Sequence, residues 1–421
     1  MNKNSLFAEV RETGRNAKLA ARELACLSGQ QRQNAIAAMP EKLRNCRDRL
    51  FQINREEVDE ARKNGLPDPL VKRLSITDKV FSYMTDRLKK VSSLRDPLNR
   101  VLDGHKEPGG LQVQKISVPI GVIGIIYESR PSVTTDAASV CLKSGNAVIL
   151  RGGSETLRTN MVLVDAMTEA LKENNISQYA IQMIRTPGHE IVSEILKMDD
   201  CIDVLIPRGG KPLIQRIAEG TRIPVIKHYE GVCHLYLAKD APLEMAVNVA
   251  VNSKCQRVEV CNALETLLID KGSAERLLPE LVRAFNEKNV TLRGCKKTRA
   301  IVKDMAAATE EDWFTEYLAP ILSVRIVEDW REAVEHISIY GSGHTDGIIT
   351  EDLRLARHFI QAVDSASVLV NASTRLSGGG DYGMGAVVGI STDKIHARGP
   401  VGPEELTSYK WVAYGEGHIR S

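Results

Sequence analysis

Apolar and polar positions follow two different rhythms along this chain. Over residues 1 to about 95, apolar residues recur at helical spacing, as at Leu19, Ala20, Leu24 and Leu27. Leu, Ala, Arg and Glu dominate there, and all are good helix formers. Ser28 followed by Gln31 has the form of a capping box opening a second helix. Pro67 and Pro69 interrupt the pattern, and a further amphipathic stretch runs from about Asp78 to Val91. The prediction is an all-helical opening.

From Leu111 short β-branched runs alternate with turns and helical stretches: LQVQKISVPI, GVIGIIY, AVILRG, CIDVLIP and IPVIKH. Helical segments are expected at Asn160–Asn174 and Glu190–Met198. A second region begins near Val232, with strands expected at His234–Ala238, Leu264–Ile269, Leu322–Ile326 and Val368–Asn371, and helices at Leu243–Val251 and Ala274–Lys288. Strand and helix in alternation at this spacing predict βαβ units, hence two α/β lobes with parallel-rich sheets.

Composition narrows the function classes. The chain has 421 residues, with 56 Lys+Arg against 54 Asp+Glu and a net charge of +2. That balance gives no footprint for nucleic acid or an anionic membrane. Val118 to Tyr127, the longest apolar candidate, is about half of what a membrane span needs and contains Pro119, Gly121 and Gly124. The charged amino terminus has no apolar signal region. Eight cysteines with no C-x-x-C pair indicate reduced thiols and a cytoplasmic protein.

Neither a P-loop nor a G-x-G-x-x-G fingerprint is present. The histidines show no metal-ligand spacing, and Cys233-His234, adjacent on a strand, would point to opposite faces; no metal is expected. Two Arg-Gly-Gly turns follow apolar strands, Arg151-Gly152-Gly153 and Arg208-Gly209-Gly210. Each precedes a helix start, where free N–H groups and an arginine suit a phosphorylated ligand. Cys261 lies in a polar, loop-like run just before the strand LETLLI. A thiol there is reachable, and Lys254 and Arg257 would favour its thiolate while Glu259 would oppose it. Cys255 is its rival. The glycine-rich segment from Gly378 to Gly402 reads either as a linker or as an active-site rim.

Several motifs together resemble a known family: GVIGIIYESRP (121–131), SGNAVILRGGSE (144–155), IPRGGKPLI (206–214), EGVCHLY (230–236), VCNALETLL (260–268), YGSGHTDGI (340–348), NASTR (371–375) and HARGPVG (396–402). They occur in the order found in the γ-glutamyl phosphate reductases of the aldehyde dehydrogenase superfamily, and the resemblance spans essentially the whole chain.

The resemblance implies a fold and a mechanism. The fold would be aldehyde dehydrogenase-like, with a cofactor domain (1–108 and 120–230), a catalytic domain (231–395) and a β-hairpin oligomerisation arm (109–119 and 396–421). Cys261 would attack the acyl phosphate of L-glutamyl 5-phosphate, and NADPH would reduce the thioester to glutamate 5-semialdehyde, a step of proline biosynthesis. The Cys261 backbone N–H, with Asn262 or Ser129, would hold the oxyanion. Arg151, Gly152, Gly153, Ser154 and Glu155 would meet the adenosine ribose of NADPH, with Arg151 favouring a 2′-phosphate. Pro207, Arg208, Gly209 and Gly210 would lie at the pyrophosphate, and Glu316 at the nicotinamide ribose. Arg130, Asn371 and Arg398 are the candidates for the substrate's carboxylate or phosphate.

Where hydrolytic relatives carry a water-activating glutamate, this chain has His228, as suits an enzyme that must spare its thioester from water. The family's Pro-Gly is replaced by Val258-Glu259, which sets a carboxylate two residues from the nucleophile. The strands near Gly110–Val118 and Leu406–Ala413 imply a homo-oligomer. The upstream glutamate kinase is a candidate partner. Other readings are a different acylating aldehyde dehydrogenase, using coenzyme A or another acyl phosphate, and a non-catalytic member of the fold.

Overall fold

The computed structural model describes residues 3–128 and 130–420; Ser129 lies outside the described residues. The chain folds into two units, one of residues 1–227, 383–389 and 401–421, the other of residues 228–382 and 390–400.

The first unit opens with helices Lys3–Cys26, Gly29–Asn45, Arg47–Lys63, Asp68–Leu74 and Asp78–Ser93. The Ser28–Gln31 capping box forms in both directions, satisfying two backbone donors that the helix cannot satisfy itself. Pro69 starts a helix rather than breaking one, because the first turn needs no N–H from it. Four parallel strands follow in the order Ile181–Met183, Ala147–Arg151, Val122–Tyr127, Val204–Arg208. Every residue of Val122–Tyr127 is buried, as expected of a parallel strand covered on both faces.

Gln112–Pro119 and Thr407–Tyr414 pair antiparallel. Val101–Lys106 adds a third strand on the other side of Gln112–Pro119. This strand shows no sequence signal, because all six of its residues are exposed and no alternation is imposed on them.

The second unit is built on seven parallel strands in the order Ala306–Ala307, Thr291–Gly294, Ile321–Val327, Leu264–Asp270, Cys233–Leu237, Thr345–Ile349, Ser367–Val370. Successive side chains point to opposite faces. Leu235, Leu237, Leu267 and Ile269 therefore join one core cluster, with Leu277, Leu281 and Phe285 of the helix Ala274–Glu287. Tyr236, Leu268 and Ile348 join the other, with Ala333, Ile337 and Phe359. Burying each large apolar side chain contributes about 1.5–3 kcal/mol, so both faces anchor the strand ends firmly. Among the described residues, no helix is long and apolar enough to cross a membrane.

Candidate active site

Four loops of the second unit converge on one edge of its sheet. They end at His344, Gly231–Val232, Ala263 and Pro320, and each leads directly into a strand: Thr345–Ile349, Cys233–Leu237, Leu264–Asp270 and Ile321–Val327. These four strands are neighbours and parallel, so the loops all meet at their amino ends. Cys261 lies in the loop between the helix Leu243–Cys255 and the strand Leu264–Asp270.

The nucleophile loop is held closely. A Cβ placed on Gly231 would lie 1.8 Å from the Cys261 carbonyl oxygen and 2.9 Å from its Cα. Only glycine lets the two segments approach this far. The Cys233 thiol donates to the same carbonyl at 3.2 Å. The Cys261 backbone N–H donates to no acceptor among the described residues, which leaves it available to a developing oxyanion.

Two imidazoles flank the Cys261 sulfur. His228, Cys261 and His344 bring donor atoms within 4.8 Å of one another, and the two rings meet edge to face with centroids 5.3 Å apart. The Ile390 carbonyl lies 2.8 Å from His228 Nδ1. A carbonyl only accepts, so Nδ1 carries the hydrogen, and Nε2 is the nitrogen of the neutral ring that can accept one. His344 is fully buried, and its Nδ1 lies 2.8 Å from Thr345 Oγ1. Burial alone would push the Cys261 thiol up. The charge of His344 and the contacts to His228 and His344 outweigh burial and hold the thiol well below its usual range.

The rival thiol has no such setting. Cys255 packs against the hydrophobic core, and burial pushes its pKa up. The cations expected to favour the Cys261 thiolate are also engaged elsewhere. Lys254 is buried in an ion pair with Glu265 at 2.5 Å, and Arg257 faces Glu259 at 4.0 Å. That second pairing shows where the carboxylate of the Val258-Glu259 departure goes. The activating groups are the histidines, and sequence reasoning missed His344 in that role. Residues 228, 261 and 344 belong to three separate loops, so no local spacing marks them.

Glu316 belongs to the same cluster. Its carboxylate accepts the Gly231 N–H, while burial and the neighbouring Cys261 charge push its pKa up. Leu318, in the left-handed region at φ 51°, turns the chain so that its N–H reaches the Glu265 carboxylate at 3.4 Å. The buried Lys254–Glu265 pair therefore supports the segment that carries Glu316.

Three residues expected at the oxyanion or the substrate have their side chains engaged within the protein. The Asn262 amide N–H groups face the Arg375 and Ser377 carbonyls at 3.4 and 3.3 Å, and its Oδ1 accepts from Arg375. Asn371 follows the strand Ser367–Val370, at the opposite edge of the sheet from Cys261. Both ends of its amide are taken by the backbone of Thr350, at 3.0 and 2.9 Å. Arg398 is held by the carboxylate and carbonyl of Asp364, at 2.7 and 2.8 Å. Arg130 immediately precedes the helix Pro131–Lys143 of the first unit.

In the first unit the two Arg-Gly-Gly turns form as strand-to-helix turns, but their helix donors are already occupied. Glu57 accepts from the N–H groups of Arg158 and Thr159 at 2.8 and 3.0 Å. Glu128 accepts from Gly210 N–H at 3.0 Å. A phosphate cannot share these donors with a carboxylate without like-charge repulsion, so the side chains must supply any anion contact. Arg151 suits that need. It ends the strand Ala147–Arg151, donates to the Gly152 carbonyl, and keeps its Nε buried without an acceptor. Ser154 and Glu155 form the short 3₁₀ turn that follows.

Residues 4–299 match the aldehyde dehydrogenase family. The crystal structure of a γ-glutamyl phosphate reductase from Thermotoga maritima is similar over 98% of this chain and 100% of its own, with 41% identity and a TM-score of 0.95. A γ-glutamyl phosphate reductase from Saccharomyces cerevisiae is 28% identical, with a TM-score of 0.54 and 98% of both chains covered. An acetylating aldehyde dehydrogenase from Geobacillus thermoglucosidasius, 19% identical with a TM-score of 0.70 over 99% of this chain and 98% of its own, shares the fold.

Proposed function

The chain belongs to the aldehyde dehydrogenase family, and on that premise we propose that this oxidoreductase reduces L-glutamyl 5-phosphate to L-glutamate 5-semialdehyde and phosphate with NADPH. The observation that carries this reading is the Cys261 thiol between two imidazoles. The 41% identity to a γ-glutamyl phosphate reductase over the full length supports the choice of substrate.

The residues divide the work as follows. An imidazole takes the Cys261 proton, and the thiolate attacks the acyl carbon. The carbon–sulfur bond forms as the carbon–oxygen bond to phosphate breaks. The proton held on the imidazole passes to the departing oxygen, so hydrogen phosphate leaves. The Cys261 N–H stabilises the oxyanion of the addition step. When bound, a reduced nicotinamide would supply the hydride that turns the thioester carbon into an aldehyde, with the carbon–sulfur bond breaking to return the Cys261 thiolate. His228 stands where hydrolytic relatives carry a water-activating glutamate, and its imidazole, with Nδ1 tied to the Ile390 carbonyl, faces the Cys261 thiol, so it serves the sulfur's proton rather than a water.

Arg151, with its unpartnered Nε, would meet the 2′-phosphate of the cofactor, and Gly152, Gly153, Ser154 and Glu155 would border the ribose. Pro207, Arg208, Gly209 and Gly210 would lie along the pyrophosphate, with Glu316 at the nicotinamide ribose. Arg130 is the guanidinium proposed for the substrate's α-carboxylate. The reaction would serve proline biosynthesis and take its unstable acyl phosphate from glutamate kinase. Exposed Tyr409, Trp411 and Tyr414 on the strand Thr407–Tyr414, with Val101 and Leu102 on the outer strand, suit assembly into a homo-oligomer through this sheet.

The reverse reaction tests the reading. With glutamate semialdehyde, inorganic phosphate and NADP⁺, absorbance of the reduced cofactor is expected to rise only when phosphate is present, and coenzyme A is not expected to replace it. Turnover that requires coenzyme A, or that ignores phosphate, would overturn the assignment. Arg151→Gln is expected to raise the KM for NADPH about 10- to 100-fold while changing that for NADH little, since one charge-assisted contact is lost only with the 2′-phosphate. Equal effects on both cofactors would remove Arg151 from that role.

A further inference from the structure

Arg375 is a half-buried cation beside the nucleophile, and none of the roles given above uses it. Its Nε donates to Gln256 Oε1 at 2.9 Å and its Nη1 to Asn262 Oδ1. Gln256 and Asn262 bracket the segment that carries Cys261, so the guanidinium spans the nucleophile loop. Ser253 supports the arginine's own segment, accepting from Thr374 N–H at 3.1 Å and lying 3.1 Å from Ser373 Oγ.

A guanidinium has five N–H donors. Both of its partners here are neutral amides, and no carboxylate among the described residues forms an ion pair with Arg375. Asp381 and the Cys261 thiolate are the anions whose charge reaches it, and the exposed Arg257 adds positive charge from the same loop. A partly desolvated cation with spare donors and no counterion gains most from an arriving oxyanion. The reaction produces one such anion at this place, the phosphate expelled from the acyl carbon when the sulfur adds.

We propose that Arg375 forms the phosphoryl subsite beside Cys261, gripping the acyl phosphate in the forward reaction and inorganic phosphate in the reverse. This rests on the acyl-phosphate reading above. The Asn262 amide, saturated by Arg375 and Ser377, then serves to position the arginine rather than to touch the oxyanion. The subsite explains how one thiol discriminates a phosphorylated carboxyl from a free one, since the unphosphorylated acid leaves the guanidinium unpaired.

The test compares wild type with Arg375→Gln and Arg375→Lys in the full chain. Cys261 is alkylated with anionic iodoacetate or neutral iodoacetamide at constant ionic strength, and the modified peptide is quantified by mass. In wild type, phosphate is expected to protect Cys261 saturably, and iodoacetate to be favoured over its neutral analogue. Arg375→Gln is expected to lower the iodoacetate-to-iodoacetamide rate ratio about tenfold, abolish phosphate protection, and raise the KM for phosphate at least about tenfold. Arg375→Lys, which keeps the charge but cannot bridge Gln256 and Asn262, is expected to retain most of both effects.

Unchanged protection and ratio in Arg375→Gln would overturn the proposal. So would equal loss in the lysine and glutamine variants, the mark of a purely structural clamp. If Arg375→Gln does not fold, the lysine variant decides alone: retained protection supports the subsite, and lost protection overturns it. Protection needs no turnover, so Arg375-dependent protection without phosphate-linked NADP⁺ reduction would keep the subsite and remove the reaction instead.

Discussion

Cys261→Ala is expected to lower NADP-linked turnover at least about 10⁴-fold, because covalent catalysis through sulfur has no substitute in a methyl group. Cys255→Ala should remain close to wild type. The loss belongs to kcat, since the thiolate is needed only once substrate is bound, and cofactor affinity measured by fluorescence should be unchanged. The loop itself should survive the substitution. Its position depends on Gly231, on the Cys233 thiol and on Arg375, all of which grip the backbone or Asn262 rather than the Cys261 sulfur. If Cys261→Ala keeps more than about 1% of wild-type turnover, the thioester route is wrong. Loss in Cys255→Ala with activity retained in Cys261→Ala would move the nucleophile to the neighbouring thiol.

Much of the fold was legible in the sequence, and the reason is physical. Strands buried on both faces must be continuously apolar, so Val122–Tyr127, Ala147–Arg151 and Leu264–Asp270 announce themselves. Cys261 could be singled out because a thiol in a polar run before such a strand sits where a ligand reaches it.

What escaped was decided by partners far away along the chain. Glu57 and Glu128 occupy helix donors about 100 and 82 positions distant, so the turns looked open to phosphate when each was read alone. Asn371 completes the backbone of Thr350 across 21 positions, and nothing in NASTR separates that task from substrate binding. The strand Thr345–Ile349 was hidden because it begins Thr-Asp-Gly and is buried nonetheless; Asp346 is buried there by accepting from the His234 N–H and facing its ring nitrogen, at 2.8 and 2.9 Å. His344, the residue before that strand, was hidden with it. Only the parallel order of four strands shows that loops so far apart in sequence end at one sulfur.

His344→Asn is expected to move the titration of Cys261 upward. The thiol is held low because the charge of His344 and the contacts to both histidines outweigh burial. Without His344, burial is opposed mainly by His228 and Arg375, while Glu316 adds negative charge from the fourth loop. A thiol restored to the ordinary value near 8.5 is only about 3% thiolate at pH 7. Alkylation of Cys261 by iodoacetamide at pH 7 should therefore fall about 10- to 30-fold, less any gain from the more basic sulfur being intrinsically more nucleophilic. The direction follows from the shift: the thiol is held low in wild type, so wild type reaches its alkylation plateau at a lower pH than the variant. Turnover at neutral pH should fall in parallel and recover in part at high pH, which Cys261→Ala cannot do. An unchanged alkylation profile in His344→Asn would leave His228 as the only activating base. A flat loss at every pH would assign His344 to the geometry of the loop instead of the charge on the sulfur.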